Sequence, residues 1–146
     1  MNTILEFMGG DHRACDDFFA SAEDAVAKKS WDSARSLFDR FQAEMAHHLA
    51  MEEEVLFPAF ESRTGMSMGP TQVMRSEHEQ MRGLIAEMAS ALAESRQDAY
   101  LGQSETLNML MQQHNLKEEN VLYPMCDQVL GGERDGLIRS MEAITR

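Results

Sequence analysis

The sequence is short of cysteine, of basic residues and of long apolar runs, and each shortage excludes a class of protein. Its 146 residues include two cysteines, Cys15 and Cys126, without CxxC spacing; this excludes a disulfide framework and favours a reducing compartment, which we expect to be the cytoplasm. Thirteen Lys and Arg against 25 Asp and Glu give a formal net charge of -12, so we expect no nucleic-acid partner. No apolar run reaches the length of a signal peptide or a membrane span, so we expect no membrane association.

The chain also lacks β-branched runs, and good helix formers dominate it. Apolar residues recur at steps of three and four in two segments of each half, which predicts core-facing helices. The first stripe is Leu5, Met8, His12, Cys15, Phe19, Ala22 and Val26, and the third is Thr71, Met74, His78, Met81, Ile85, Met88 and Leu92. The second is Phe41, Met45, His48, Glu52, Val55 and Ala59, and the fourth is Leu107, Met111, His114, Glu118, Val121 and Met125. The thirteen methionines are typical of adaptable core filling rather than of copper binding.

Turn-rich breaks at 28–32, 62–70 and 95–98 separate the four stripes. We therefore predict an all-α fold, an up-down-up-down four-helix bundle, with a short fifth helix within 137–144. Gly9-Gly10 weakens any helix through the N-terminus, so we expect the first helix to begin at Asp11 and the residues before it to pack as a non-helical arm.

An internal repeat is present: HHLAMEEEVLFP at 47–58 is followed 66 residues later by QHNLKEENVLYP at 113–124. The same shift places His12 on His78. We predict a single domain over 1–146 with halves of about 4–62 and 70–128.

In an antiparallel helix pair, residues equidistant from the turn lie side by side. His12 and His48 are equidistant from Ser30, and the second half repeats this arrangement, so all four histidines should meet at one level of the bundle. The glutamates join them because positions i and i+4 share a helix face. The six candidate metal ligands are His12, His48, Glu52, His78, His114 and Glu118.

Four imidazoles and two carboxylates buried together are costly unless they surround cations. Zinc normally takes four ligands, whereas this set suits two metals, each with two histidines, bridged by both glutamates. With an oxo or hydroxo bridge, two octahedral irons would keep about two free positions of roughly twelve. The alternatives are hydrogen-bonded core histidines, helix-surface His–Glu pairs and a duplication that kept inert residues.

The motifs Asp11-His12-Arg13, His48-LAM-Glu52-EEVLFP, Met74-RSE-His78 and His114-NLK-Glu118-ENVLYP resemble those of the hemerythrin-like (HHE cation-binding) domain. The resemblance covers roughly residues 4–130 and implies a four-helix bundle around a non-haem di-iron centre with the six ligands above. Oxygen-carrying hemerythrins have a further histidine where this chain has Met74, and an aspartate five residues after the fourth histidine. This chain is more similar to four-histidine, two-glutamate bacterial variants, some of which are associated with nitric oxide stress and repair of iron centres.

Several neighbouring side chains admit two interpretations. His47 is expected on the flank of its helix rather than as a ligand, and Cys15 as a small core residue or a thiol near the metals. Tyr123 is expected to pack at a helix end, or to hydrogen-bond a bound oxygen species. The carboxylates that could be solvated or could orient the imidazoles are Asp11, Glu53, Glu54, Glu77 and Glu119.

Two functions follow. The first is a di-iron protein that binds O2 or NO in sensing, storage or stress response. Another divalent metal in place of iron is an alternative. The second is a di-iron oxidoreductase acting in detoxification of NO or peroxide, or in repair of damaged iron centres. Metal storage without gas chemistry is a third possibility. A protein partner or a homo-oligomer is compatible with either of the first two.

Overall fold

The computed structural model describes residues 2–145, and helices make up most of this range. In chain order they are α1 (Ile4–Ala27), α2 (Trp31–Met51), a first π-helical segment (Glu52–Leu56), α3 (Phe57–Thr64), α4 (Pro70–Ala93), α5 (Gln97–Lys117), a second π-helical segment (Glu118–Leu122), α6 (Tyr123–Val129) and α7 (Arg134–Glu142). No strand occurs among the described residues. Each π segment joins its flanking α-helices without interruption, so 31–64 and 97–129 are continuous helices. Four long helices and a short fifth are therefore present, as predicted.

The four long helices form two hairpins that pack together. α1 packs on α2 and α4 on α5, while α1 also contacts α5 and α2 contacts α4. The turns within the hairpins fall at the predicted breaks, and each contains one residue with positive φ, Lys29 at 57° and Ser95 at 55°. Of the helices in the described range, none combines the length and apolar character that crossing a bilayer requires.

The start of α1 differs from the prediction. The helix begins at Ile4 rather than at Asp11, so Gly9-Gly10 lies inside it. Thr3 and Glu6 form a capping box, in which the Thr3 hydroxyl accepts from the Glu6 N–H at 3.0 Å and the Glu6 carboxylate accepts from the Thr3 N–H at 3.1 Å. This cap and the burial of Met8 outweigh the helix penalty of two glycines, which is about 1 kcal/mol each.

Each π segment has a proline as its cause. Pro58 and Pro124 have no N–H, and in an α-helix the ring of each would clash with the carbonyl four residues earlier. The residue before each proline donates its hydrogen bond to the carbonyl five residues earlier, instead of the carbonyl four residues earlier as in an α-helix. The Phe57 N–H bonds to the Glu52 carbonyl, and the Tyr123 N–H bonds to the Glu118 carbonyl. One wide turn in each continuous helix thus accommodates its proline.

The π turns shift the buried face by one residue, so the predicted stripes fail beyond the glutamates. Val121 was expected in the core but is 53% exposed, and Val55, Ala59 and Met125 lie only at the edge of it. The residues buried instead are Leu56, Phe57, Phe60, Leu122, Tyr123 and Cys126. An extra residue in one turn moves every later side chain around the helix.

Two apolar clusters fill the bundle. The first lies toward the turns at 28–30 and 94–96 and includes Phe38, Phe41 and Tyr100. The second lies toward the connection at 65–69 and includes Met8 and Phe60, with α7 packed on it through Met141. The predicted ligands lie between these clusters along each helix.

Candidate metal centre

The structure brings all six predicted ligand residues together in the bundle interior. α1 and α4 contribute one histidine each, α2 and α5 contribute the other two, and each π segment begins with one glutamate. Every one of the six is at most 4% exposed. Their donor atoms fall into two groups, and within each group all donor atoms lie within 4.8 Å of one another. One group is Glu52, His78, His114 and Glu118, and the other is His12, His48 and Glu118.

Each imidazole is held by a carboxylate behind it. The Nδ1 atom of His12 lies 2.8 Å from Glu119, and that of His48 lies 2.7 Å from Asp11. The Nδ1 atom of His78 lies 2.6 Å from Glu53, and that of His114 lies 2.8 Å from Glu77. Because an ionised carboxylate only accepts hydrogen bonds, Nδ1 carries the hydrogen and Nε2 faces the centre of the site. This arrangement is typical of metal-binding histidines. The fifth carboxylate considered from the sequence, Glu54, is exposed and takes no part.

These outer carboxylates follow the internal repeat. Asp11 and Glu77 are 66 residues apart, and each precedes the first histidine of its half while it binds the second. Glu53 and Glu119 have the same spacing, and each binds a histidine of the other half of the chain. Glu53 and Glu119 thus link the two helical hairpins to each other, and all four outer carboxylates orient the imidazoles.

Cations outside the site neutralise two of these carboxylates. Arg82 lies 2.8 Å from Glu53, and Lys117 lies 2.5 Å from Glu77. These ion pairs, together with the imidazoles, keep the pKa of Glu53 and of Glu77 below the usual range despite partial burial, which acts in the opposite direction. Both carboxylates therefore remain ionised acceptors at neutral pH.

The hydroxyl of Tyr123 lies at the centre of the site, while its ring packs in the second apolar cluster at the start of α6, as one interpretation of the sequence had it. The oxygen is 2.7 Å from Glu52 Oε2 and 2.9 Å from Glu118 Oε1, and it is also 3.2 Å from His12 Nε2. In an α-helix, residues five apart point about 140° away from each other, whereas the π turn places Tyr123 on the face of Glu118. The Pro124 that causes this turn is the sequence signal for it.

Burial and mutual charge set the protonation of the metal-free site. Burial, aided by the charge of Glu118, raises the pKa of Glu52. Burial would raise the pKa of Glu118 too, but close polar contacts with Glu52, His114 and His12 hold it well below the usual range. Burial lowers the pKa of an imidazole, yet the close contact and the charge of Glu118 outweigh it and raise the pKa of His114 to about 9. The pKa of His12 is raised in the same way. Protons therefore supply the positive charge that two buried carboxylates require.

Several donor atoms remain unsatisfied in this arrangement, which is the test of whether a metal fits. Glu52 Oε1, His78 Nε2, His114 Nε2 and Glu118 Oε2 are buried without a hydrogen-bond partner. His78 Nε2 lies 3.0 Å from Glu52 Oε1, and His114 Nε2 lies 3.2 Å from Glu118 Oε2, but neither pair is aligned as a hydrogen bond. Buried polar atoms are rarely left unpaired. A cation bound by all four atoms would satisfy them, so the residues fit a metal.

A narrow cavity adjoins the imidazoles of His12, His48 and His114. Its other walls are side chains from α1, α2, α4 and α5: Cys15, Asp16, Met45, Leu49, Met81 and Asn115. Most of them are apolar, which suits a small uncharged molecule, and the half-buried Asp16 and Asn115 lie at its outer side. A more open groove between α3 and α7 lies away from the six candidate ligands.

His47 and Cys15 belong to the surroundings of the site. His47 is buried, and its Nε2 lies 3.0 Å from the carbonyl oxygen of Ile144, so it attaches the segment after α7 to α2. Its imidazole is not part of either donor group. Cys15 is buried in the first apolar cluster, as expected of a small core residue, and it also lines the cavity beside the imidazoles.

A helical bundle with two buried histidine–glutamate donor groups is the architecture of a metal-cation-binding protein. Comparison with family models gives the same result: the model described as the hemerythrin HHE cation-binding domain matches residues 3–126. This chain belongs to that family, and the resemblance seen in its motifs is confirmed. Comparison with curated proteins and with solved structures gave no significant match.

Proposed function

We propose that this protein holds a non-haem di-iron centre and binds a small diatomic molecule, O2 or NO, at free iron positions, in sensing, storage or stress response. The convergence of six buried side chains into two donor groups is the observation that carries this proposal. Two groups sharing Glu118 suit two metal ions, and a mixed set of imidazole and carboxylate suits iron.

Each side chain would have a defined task. His12 and His48 would hold one metal, His78 and His114 the other, and Glu52 and Glu118 would bridge them. The irons would supply reversible redox chemistry and free coordination positions. The protein orients the imidazoles through the outer carboxylates, and the apolar clusters on both sides exclude bulk water. The cavity beside His12, His48 and His114 would admit the diatomic ligand.

Metal content and gas binding test the proposal in sequence. Protein isolated from its native cells should contain about two irons per chain, whereas redox-inactive metal would point to storage. A visible absorption band that appears when O2 or NO is added to the reduced protein, and disappears when the gas is removed, would support binding. Immediate irreversible oxidation with turnover of NO or peroxide would instead favour the enzymatic alternative.

The bridging role of the glutamates can be tested separately. Glu52→Ala and Glu118→Ala should each lose most of the bound iron, because each removes donors from both metal positions. Glu54→Ala is the matched control, since Glu54 is exposed on the same π segment as Glu52. Two irons retained in either of the first two variants would contradict the assignment.

A further inference from the structure

The two donor groups are unequal although the chain is built as a repeat. One group contains four residues, whereas the group of His12, His48 and Glu118 contains three. Glu52, the second proposed bridge, is not a member of the smaller group, and its Oε2 atom lies 2.7 Å from the hydroxyl of Tyr123. Tyr123 therefore lies beside the metal position that has fewer donor atoms close together.

The Tyr123 oxygen completes this smaller group. It lies 2.9 Å from Glu118 Oε1, 3.2 Å from His12 Nε2 and 3.5 Å from His48 Nε2, so it is close to all three members. Donor atoms bound to one metal at about 2.1 Å and at right angles lie about 3 Å apart, which is similar to these separations. The phenol is fully buried, as ligands of an enclosed metal must be.

Without metal, hydrogen bonds satisfy the hydroxyl, because it can donate to Glu52 Oε2 or Glu118 Oε1 and accept from His12 Nε2. When a cation takes the place of the imidazole proton, an oxygen lone pair of the phenol is left facing His12, His48 and Glu118. A cation shared by His12, His48 and Glu118 would use that lone pair as well.

The internal repeat provides a natural comparison, because Phe57 occupies the equivalent place in the first half. The Phe57 ring stacks on His78 with centroids 5.6 Å apart, and the Tyr123 ring lies 5.5 Å from that of His12. The two rings thus pack on matching imidazoles, and only the hydroxyl distinguishes them. Packing on the imidazole explains the ring of Tyr123, whereas its hydroxyl contacts the carboxylates of the site.

We propose that the Tyr123 phenol oxygen is a seventh ligand of the metal centre, at the position held by His12, His48 and Glu118, so that the two metal positions are chemically different. This inference rests on the proposed di-iron function. On ligation the O–H bond breaks, its proton leaves to solvent, and the oxygen lone pair binds the metal. A phenolate is an anionic oxygen ligand, and it stabilises iron(III) more than iron(II). The iron at this position would therefore be the harder one to reduce.

Phenolate bound to iron(III) has a ligand-to-metal absorption band in the visible range, and excitation into that band enhances the ring vibrations of the bound tyrosine. The wild-type protein, loaded with iron and oxidised, should show both signals. Labelling with ring-deuterated tyrosine should shift the enhanced vibrations, a result that needs no variant to fold.

Variants assign the signal to one residue. Tyr123→Phe should lose the band and the enhanced vibrations while it keeps the helical circular dichroism and the iron held by His78 and His114. Tyr100→Phe is the matched control, because Tyr100 is the other tyrosine of the chain and lies in the first apolar cluster beside Phe38. It should leave both signals unchanged.

The outcomes separate this inference from the proposed function. Two bound irons without any tyrosine vibration in the wild type, or with the band intact in Tyr123→Phe, would overturn the ligand role and leave the di-iron centre standing. Failure of the wild type to bind iron would overturn the proposed function itself.

Discussion

Single carboxylates determine where each imidazole of the site points. Asp11 fixes the orientation of the His48 ring because its carboxylate lies 2.7 Å from Nδ1. The same holds for the three other histidines and their partners. Because Nδ1 is occupied, Nε2 is the atom that each of these histidines can offer to a metal.

Replacing one of these partners should weaken metal binding without removing a ligand. Asp11→Asn loses the negative charge that fixes His48, so we expect roughly 10- to 100-fold lower iron affinity, measured by competition with a chelator. Asp17→Asn, an exposed change on the same helix, should have no effect. Equal affinities of the two variants would show that Asp11 does not orient the site.

The metal-free protein should lose stability as the pH rises. The pKa of His114 is about 9 in the folded protein against an ordinary value of 6.5, so its proton stabilises the fold below about pH 6.5, and this contribution is lost as the pH passes through 9. The raised pKa values of His12 and Glu52 act in the same direction. Denaturant titrations at pH 6.5 and pH 9 would measure this, and a constant free energy of unfolding would contradict it.

At the scale of helices, the π segments determine which residues reach the site. A proline six positions after each glutamate forces one wide turn, and this turn brings Tyr123 onto the face of Glu118. It also exposes Val121 and buries Leu122. Local irregularity at functional residues is common in helices, and here the chain has it twice at equivalent positions.

The first turn of α1 is another element held by a distant residue. The carboxylate of Asp127, in α6, accepts from the backbone N–H of Ile4 at 2.7 Å and from that of Leu5 at 3.1 Å. These are two of the four N–H groups that every helix leaves unpaired at its start. The contact explains how an end weakened by Gly9 and Gly10 stays helical.

Asp127→Ala should therefore destabilise the protein and loosen the start of α1. Hydrogen bonds to a charged acceptor contribute about 1.5–3 kcal/mol, and we expect a loss of free energy of unfolding in this range. Hydrogen exchange should become faster at residues 4–8 in particular. Asp39→Ala, on the exposed face of α2, is the control, and equal stability of the two variants would contradict the role of Asp127.

At the scale of the whole molecule, an ionisable layer divides the apolar core into two clusters. Without metal this layer contains unpaired donor atoms and raises the free energy of the folded state. The net charge of -12 adds general repulsion to the fold and attracts cations from solution. Both effects favour the metal-bound form.

Removal of metal should consequently lower the melting temperature. A ligand at 100 times its dissociation constant stabilises the folded state by about 2.7 kcal/mol, which for a chain of this size corresponds to a shift of several degrees. Calorimetry of iron-loaded and chelator-treated protein would show the difference. Calcium, which prefers oxygen ligands, should not restore the lost stability, whereas iron should. Identical melting temperatures would argue against metal at the buried site.

The predictions made from periodicity held wherever the helices are regular, because they assumed a constant number of residues per turn. Steps of three and four, together with the 66-residue repeat, predicted four helices and the meeting of His12, His48, His78 and His114, because an antiparallel hairpin converts equal spacing into adjacency. The same periodicity failed at Val121, where a π turn adds one residue. Glycines suggested a start at Asp11, but the side chain of Asp127, remote in sequence, decided otherwise.

The sequence by itself therefore determined the helical bundle, the identity of the donor side chains and the level at which they meet, since these depend on local propensity and even spacing. Only the tertiary structure decided the partner of each imidazole, the place of the Tyr123 hydroxyl and the inequality of the two donor groups. These features depend on contacts between helices and on the backbone geometry of a π turn. The spacing of apolar residues along the sequence does not encode either of them.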